Sequence, residues 1–313
     1  MLLFNGLCME FSLYTGVYST YPQKPGDNPA NRQDFMNDLS VASASTDQFE
    51  QRWPVDNAKA AVVIVHGLGE HCGRYGALVS ALNNAGYSAA SLDLPGHGKS
   101  AGARGHIDDF VDFHAPILAL SLDLRRQHPA KPLYILGHSM GGLIVTHMML
   151  DHEQLFDGIV LSGALIRSVQ QPPIWQITLT GLIAKVAPRL GLLRIEIDGL
   201  CRDSDVVEAY LQDPLVSRDK LTANFISEMF NAMEETVSNA STITKPILMM
   251  HGGADRMTDP SGSQLIFDSV ISPDKTLKIY PGLYHEIFNE PEAPQVFGDV
   301  IEWLDKRVAI GSL

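Results

Sequence analysis

From residue 60 onward, short apolar runs recur, separated by segments long enough for a helix: AAVVIV (60–65), YSAASL (87–92), LYIL (133–136), GIVLS (158–162), PILMM (246–250) and TLKIY (276–280). A strand buried on both faces has no reason to alternate apolar and polar residues, and parallel neighbours need long crossovers between them. The pattern therefore predicts an α/β chain with a mostly parallel central sheet flanked by helices. Between GIVLS and PILMM the alternation fails for about eighty residues. There the chain reads as helices only, in IWQITLTGLIAKVAPRLGLL, DVVEAYLQD and ANFISEMFNAMEETV, which predicts a helical cap inserted after the sixth strand. The expected organisation is a loosely ordered extension over residues 1–45, a first core segment over 46–165, the cap over 166–243 and a second core segment over 244–313.

Composition removes several function classes. With 313 residues, 45% of them hydrophobic, the chain can bury a full core. Its formal charge of -13 offers no general attraction to phosphate backbones, so nucleic acid is not an expected partner. Cys8, Cys72 and Cys201 are odd in number and widely spaced, which argues against a disulfide framework and a CxxC metal site, and fits a reducing, cytoplasmic compartment. The N-terminus has apolar patches but lacks a basic lead and is interrupted by Glu10, so it forms a poor secretory signal. No segment reaches the roughly 18 apolar residues of a membrane span.

Chemistry enters at Gly137-His138-Ser139-Met140-Gly141, which fits G-x-S-x-G between a strand-like and a helix-like run. In that setting a sharp turn exposes the serine hydroxyl and points the next backbone N–H, that of Met140, at an oxyanion forming on an attacked carbonyl. A serine hydroxyl is a weak nucleophile and needs an imidazole oriented by a carboxylate. His285, in the loop after the last apolar run, is the expected base. His251 ends the preceding run and reads as a packing residue, while His106, His114, His128, His147 and His152 fall on helical patterns. Asp255, in the Gly-rich loop HGGADRMTDP, is the expected acid. Its competitor Asp259 precedes Pro260 and has a structural role ready as a helix N-cap.

The second oxyanion donor is expected from Leu68 in HGLGEH, where flanking glycines let its N–H turn toward that of Met140. The same loop speaks against a dinucleotide site, because Cys72 occupies the third glycine position of G-x-G-x-x-G. His66 and His71 lack the spacing of a zinc motif. Cys72, beside this loop, is expected to block the site when alkylated.

Taken together, HGLGEHCGRY (66–75), DLPGHGKS (93–100), LGHSMGG (136–142), AYLQDPLVSR (209–218), HGGADRMTDP (251–260) and DKTLKIYPGLYHEIFNEPE (274–292) resemble the α/β-hydrolase superfamily. Within it they are similar to monoacylglycerol lipases and the related lysophospholipases. The resemblance covers residues 50 to 308. It implies a serine ester hydrolase with Ser139, Asp255 and His285 as triad, and Leu68 and Met140 as oxyanion hole. It also implies Glu70, Arg74 and Tyr210 near the glycerol end of the pocket, and neither cofactor nor metal. DLPGHGKS is expected to shape a turn, with no catalytic role for His97. Residues 1 to about 40 have no counterpart in the resemblance, and Met36 would begin a chain of more usual family length.

The first half of the cap matches the family only in character. Its apolar residues Ile174, Trp175, Ile177, Leu179, Leu182, Ile183, Val186 and Leu190 suit peripheral contact with a lipid interface. Monoacylglycerol is the expected substrate and lysophospholipid the alternative. Acyl transfer to an alcohol would use the same residues. A non-catalytic binding relative would be marked by a broken triad, and all three residues are present.

Overall fold

The computed structural model describes residues 47–194 and 197–310. The expectations for residues 1–45, including a start at Met36, lie outside the described residues.

The apolar runs become strands. β2 (Ala60–Val65), β3 (Tyr87–Leu92), β4 (Leu133–His138), β5 (Gly158–Ser162), β8 (Ile247–Gly252) and β9 (Lys275–Tyr280) pair in parallel within a seven-stranded sheet of order β1-β3-β2-β4-β5-β8-β9. Every residue of β2, β4, β5 and β8 is buried, as unbroken apolar runs require. β1 (Glu50–Trp53) runs antiparallel on the β3 edge. Its sequence, EQRW, gave no strand signal, because an edge strand with solvent on one side needs no apolar run.

Helices α1 (Gly76–Asn84) and α8 (Ala293–Ile310) cover one face of the sheet. They bury Leu78, Leu82, Val296, Val300 and Leu304 against Val62, Ile64, Leu136 and Leu248. α2 (His114–Gln127) and α3 (Met140–His152) complete the crossovers on either side of β4.

The insertion holds α4 (Ile174–Val186), β6 (Gly191–Leu193), α5 (Ser204–Gln212), β7 (Leu221–Thr222) and α6 (Ala223–Asn239). Among the described residues it follows β5, the fifth strand in chain order, not the sixth. It is also not wholly helical, because β6 and β7 form a short antiparallel pair. Neither strand is long enough to carry a period that sequence could reveal. α6 packs on α3, so the helix that begins at the serine turn also supports the insertion.

Parallel pairing brings the carboxyl ends of β2, β4, β5, β8 and β9 to one edge of the sheet, where open α/β sheets place their binding crevice. At that edge the start of α3 crosses β2 with no space to spare. A Cβ added at Gly141 would lie 2.3 Å from the carbonyl oxygen of Val65 and 2.4 Å from that of His66. One added at Gly137 would lie 2.4 Å from the carbonyl oxygen of Gly141. Backbone cannot yield as a flexible side chain can, so Gly141→Ala should destabilise the fold by about 3 kcal/mol or more. Chemical denaturation checks this, and a midpoint within error of wild type would contradict the tight crossing.

Candidate active site

Ser139 closes β4 and caps α3 with φ 55° and ψ -120°. A non-glycine residue in this region is strained by about 1–3 kcal/mol and persists only where its surroundings dictate it. Here they do. The N–H of Ser139 donates to Ser162 O at 2.9 Å, and its carbonyl accepts from Leu143 N at 3.1 Å and Leu165 N at 3.0 Å. The half-buried side chain stands at the sheet edge, and Met140 starts the helix with its N–H at the positive end of α3.

His285 and Asp255 meet across the neighbouring loops. His285 Nδ1 lies 2.7 Å from Asp255 Oδ2, with both side chains buried. Because a carboxylate only accepts, Nδ1 carries the proton and Nε2 keeps its lone pair. Burial works against charging His285, but Asp255, assisted by Glu286 and Glu70, outweighs it and raises the imidazole pKa. Burial likewise opposes the Asp255 charge, yet His285 and His251 hold that carboxyl far below its usual range. The His285 ring also lies 4.8 Å from that of His138, whose own pKa falls to about 3 through burial and the nearness of His285. His138 is therefore neutral near neutral pH. The loop bearing His285 is tied to the insertion, since Glu286 N donates to Leu200 O at 2.8 Å.

Asp259 takes the structural role expected of it. It caps α7 (Pro260–Ser269), accepting from Ser261 N at 2.8 Å. His97 is buried, with its Nδ1 2.9 Å from Pro95 O, and burial lowers its pKa to about 3. In the same turn Asp93 accepts from Cys72 N at 2.8 Å and Lys99 N at 2.8 Å, pinning DLPGHGKS to the HGLGEH loop. His66 braces that loop from below, accepting at Nε2 from Leu94 N at 2.9 Å while Nδ1 donates to Gly67 O at 2.8 Å.

Glu70, Arg74 and Tyr210 come together as an internal cluster. Glu70 Oε1 accepts from Gly67 N at 2.6 Å and from Tyr75 OH at 2.7 Å, while Oε2 receives Arg74 at 2.7 Å. Arg74 also grips Glu286 with both terminal nitrogens, one of them at 2.8 Å, and lies 4.6 Å from the centre of the Tyr210 ring. Burial raises the Glu70 pKa, but Arg74, His138 and His66 outweigh it and bring the value down to about 2. Glu70 thus fixes the HGLGEH turn through Gly67 N, and Arg74 links that turn to the residue after His285. Glu70, Arg74, Tyr75, His138 and Glu286 line a cavity of about 10 Å³, the room one water takes.

Sequence reasoning missed Glu286, Thr258 and the contact of His251 with Asp255. Glu286 had one signal, its position directly after His285. Cys72, beside the HGLGEH loop, is buried, donates to Gln51 Oε1 at 3.3 Å, and has its thiol pKa raised by burial and by Asp93. A thiol held protonated in this way reacts slowly with alkylating agents.

A serine forced outward by the sheet itself, with an acid-oriented imidazole two loops later, is how the α/β-hydrolase fold builds a nucleophile, and the chain is a serine hydrolase of that fold. Residues 56–292 match the model of the family described as serine aminopeptidase, S33, and the chain belongs to that family. It is 36% identical over 251 residues to a monoacylglycerol lipase of Mycolicibacterium smegmatis, covering 80% of this chain and 90% of the relative. A phospholipase of Bacillus subtilis is 33% identical, with 82% and 99% covered. Among solved structures, the monoacylglycerol lipase of Paleococcus ferrophilus superposes with a TM-score of 0.75 at 32% identity, covering 83% of this chain and 99% of that one.

Removing Arg74 would strand two buried carboxylates, which typically costs about 3–5 kcal/mol. The depressed Glu70 pKa contributes stability above its unfolded value of 4.5, and that contribution is lost as pH falls toward about 2. Arg74→Met should therefore unfold at lower denaturant than wild type at neutral pH, and the gap should narrow as pH drops below about 4.5. Denaturation at several pH values measures it, and a constant gap would contradict the ion-pair assignment.

Proposed function

We propose that the chain hydrolyses monoacylglycerol to a free fatty acid and glycerol through an acyl-enzyme on Ser139. The observation that carries this reading is the buried Asp255–His285 pair at the sheet edge that also presents the strained Ser139 turn. In this reading His285 takes the Ser139 proton through Nε2 as the hydroxyl attacks the ester carbonyl. The N–H groups of Leu68 and Met140 stabilise the oxyanion, Asp255 stabilises the imidazolium, and glycerol leaves with the proton from His285. Water then attacks the acyl-enzyme by the same proton path. No step calls for a metal or cofactor.

The substrate class rests on two supports. One is the likeness to the monoacylglycerol lipases of Mycolicibacterium smegmatis and Paleococcus ferrophilus. The other is α4, where Ile174, Trp175, Leu179, Leu182 and Val186 form one exposed stripe, Trp175 at 61% and Val186 at 84% exposure. In our reading the insertion is a cap over the site, and this stripe rests on the lipid surface from which the acyl chain enters. Ile177 and Ile183, expected to share in that contact, are half-buried and do not belong to the stripe. None of the described helices is long and apolar enough to cross a membrane.

At the other end of the pocket, Glu70, Arg74 and Tyr210 would border the glycerol. Arg74 is already engaged by Glu70 and Glu286, so it has little charge to offer a phosphate. This favours glycerol over the head group of a lysophospholipid, which remains the second reading on the strength of the Bacillus subtilis relative.

Initial rates on monooleoylglycerol, dioleoylglycerol, trioleoylglycerol and oleoyl lysophosphatidylcholine should favour monooleoylglycerol, and Ser139→Ala should lower its rate by roughly 10⁴-fold or more. A faster rate on the lysophospholipid would overturn the substrate, and an active Ser139→Ala would overturn the nucleophile. Trp175→Asp with Leu182→Asp should slow hydrolysis of micellar monooleoylglycerol while leaving a soluble short-chain ester unaffected. Equal loss on both would defeat the interfacial role.

A further inference from the structure

Asp255 Oδ2 carries a second imidazole. His251, the fully buried penultimate residue of β8, sets its Nε2 3.1 Å from that oxygen, on which His285 Nδ1 already sits at 2.7 Å. The same Nε2 lies 3.2 Å from the carbonyl oxygen of Thr258 and 3.2 Å from its Oγ1, which itself donates to Asp255 Oδ2, so only oxygens able to accept face it and the proton belongs there. On the far side of the ring Nδ1 lies 2.7 Å from Ser263 Oγ, which must then donate to it. A second relay results, running from Ser263 on α7 through His251 to the carboxylate that also serves His285.

We propose that His251, held by Ser263, is a positioning residue that competes with His285 for Asp255 and thereby sets the basicity of the catalytic imidazole. The proposal rests on the reading of His285 as general base. Asp255 accepts from every side: Met257 N at 2.8 Å and Thr258 N at 3.0 Å reach Oδ1, while Thr258 Oγ1 at 2.8 Å, His251 and His285 reach Oδ2. Each donor draws charge from the carboxylate, and a carboxylate so drawn upon stabilises an imidazolium less. Of the three residues that reach Oδ2, His251 is the one that comes from the sheet itself.

The other charged or titratable groups around the pair are fixed in kind. Glu286 follows His285 and is paired with Arg74, Glu70 lies behind on the β2 loop, and the neutral ring of His138, at the end of β4, lies 4.8 Å away, tilted against that of His285. Glu286 and Glu70 both raise the His285 pKa, and Asp255 is the strongest influence in that direction. Loss of the His251 donor would therefore leave more of the Asp255 charge to His285, raise its pKa, and leave less neutral base at acid pH.

The test is the pH dependence of kcat/KM on a water-soluble short-chain ester, from about pH 5 to about pH 9, for wild type, His251→Leu and His251→Gln. His251→Leu should move the acid limb up by about half a unit, a loss of roughly threefold on the acid side with a nearly unchanged plateau. His251→Gln, which restores an N–H donor, should return the limb toward wild type. An unmoved limb in folded His251→Leu, or a His251→Gln limb that follows His251→Leu, overturns the proposal, since a packing role would change stability and leave the limb in place.

Nitrogen NMR of the histidine rings in the wild-type protein decides the matter should the leucine variant fail to fold. His251 should be the Nε2–H tautomer, and an Nδ1–H tautomer excludes donation to Asp255. Retained ester hydrolysis in Ser139→Ala would instead defeat the triad reading, an outcome separate from either of these.

Discussion

The site depends on a steric constraint before it depends on any charge. β4 must pass into α3 while α3 presses on the carbonyls of Val65 and His66, and no side chain fits in the gap. The chain resolves this with glycine on both sides of Ser139 and with Ser139 itself held at positive φ by a hydrogen bond to β5. The strain is balanced by the packing of the fully buried strands β2 and β5 on either side. With the serine forced outward in this way, the parallel sheet supplies the rest, because the loops after β2, β8 and β9 end on the same edge.

The loops that carry chemistry are also the loops that hold the insertion. His71 reaches Asp213 at 2.9 Å, Gly69 O accepts from Ser217 N at 2.8 Å, and Arg202 grips Glu290 at 2.8 Å, just past His285. Arg74 joins the HGLGEH turn to Glu286 and lies over Tyr210 from α5. A displacement of the insertion would thus be felt at both the HGLGEH turn and the loop that bears His285.

The strands and the triad candidates were legible in the sequence for physical reasons. A doubly covered strand must be apolar throughout, and the turn chemistry of G-x-S-x-G and HGGAD depends on backbone shapes that only certain residues permit. β1 escaped notice because an edge strand may be polar, and the β6–β7 pair because each partner is too short to show a period. Arg74 and Glu286 lie 212 positions apart, so only the folded chain could join them. His251 read as packing because sequence locates it at a strand end but says nothing of the four-residue step that returns Asp255 to its ring. Ile177 and Ile183 look like their exposed neighbours in the sequence because α4 is apolar nearly all round, and only its packing on α6 distinguishes the faces.

The proposed hydrolysis requires that Ser139 Oγ take the acyl group. Reaction with a fluorophosphonate ester, followed by peptide mass spectrometry, tests this directly. One label per chain should appear on Ser139, with activity lost in step with labelling and with monooleoylglycerol slowing both. Inactivation with the label on another residue, or full labelling of Ser139 with activity retained, would contradict it.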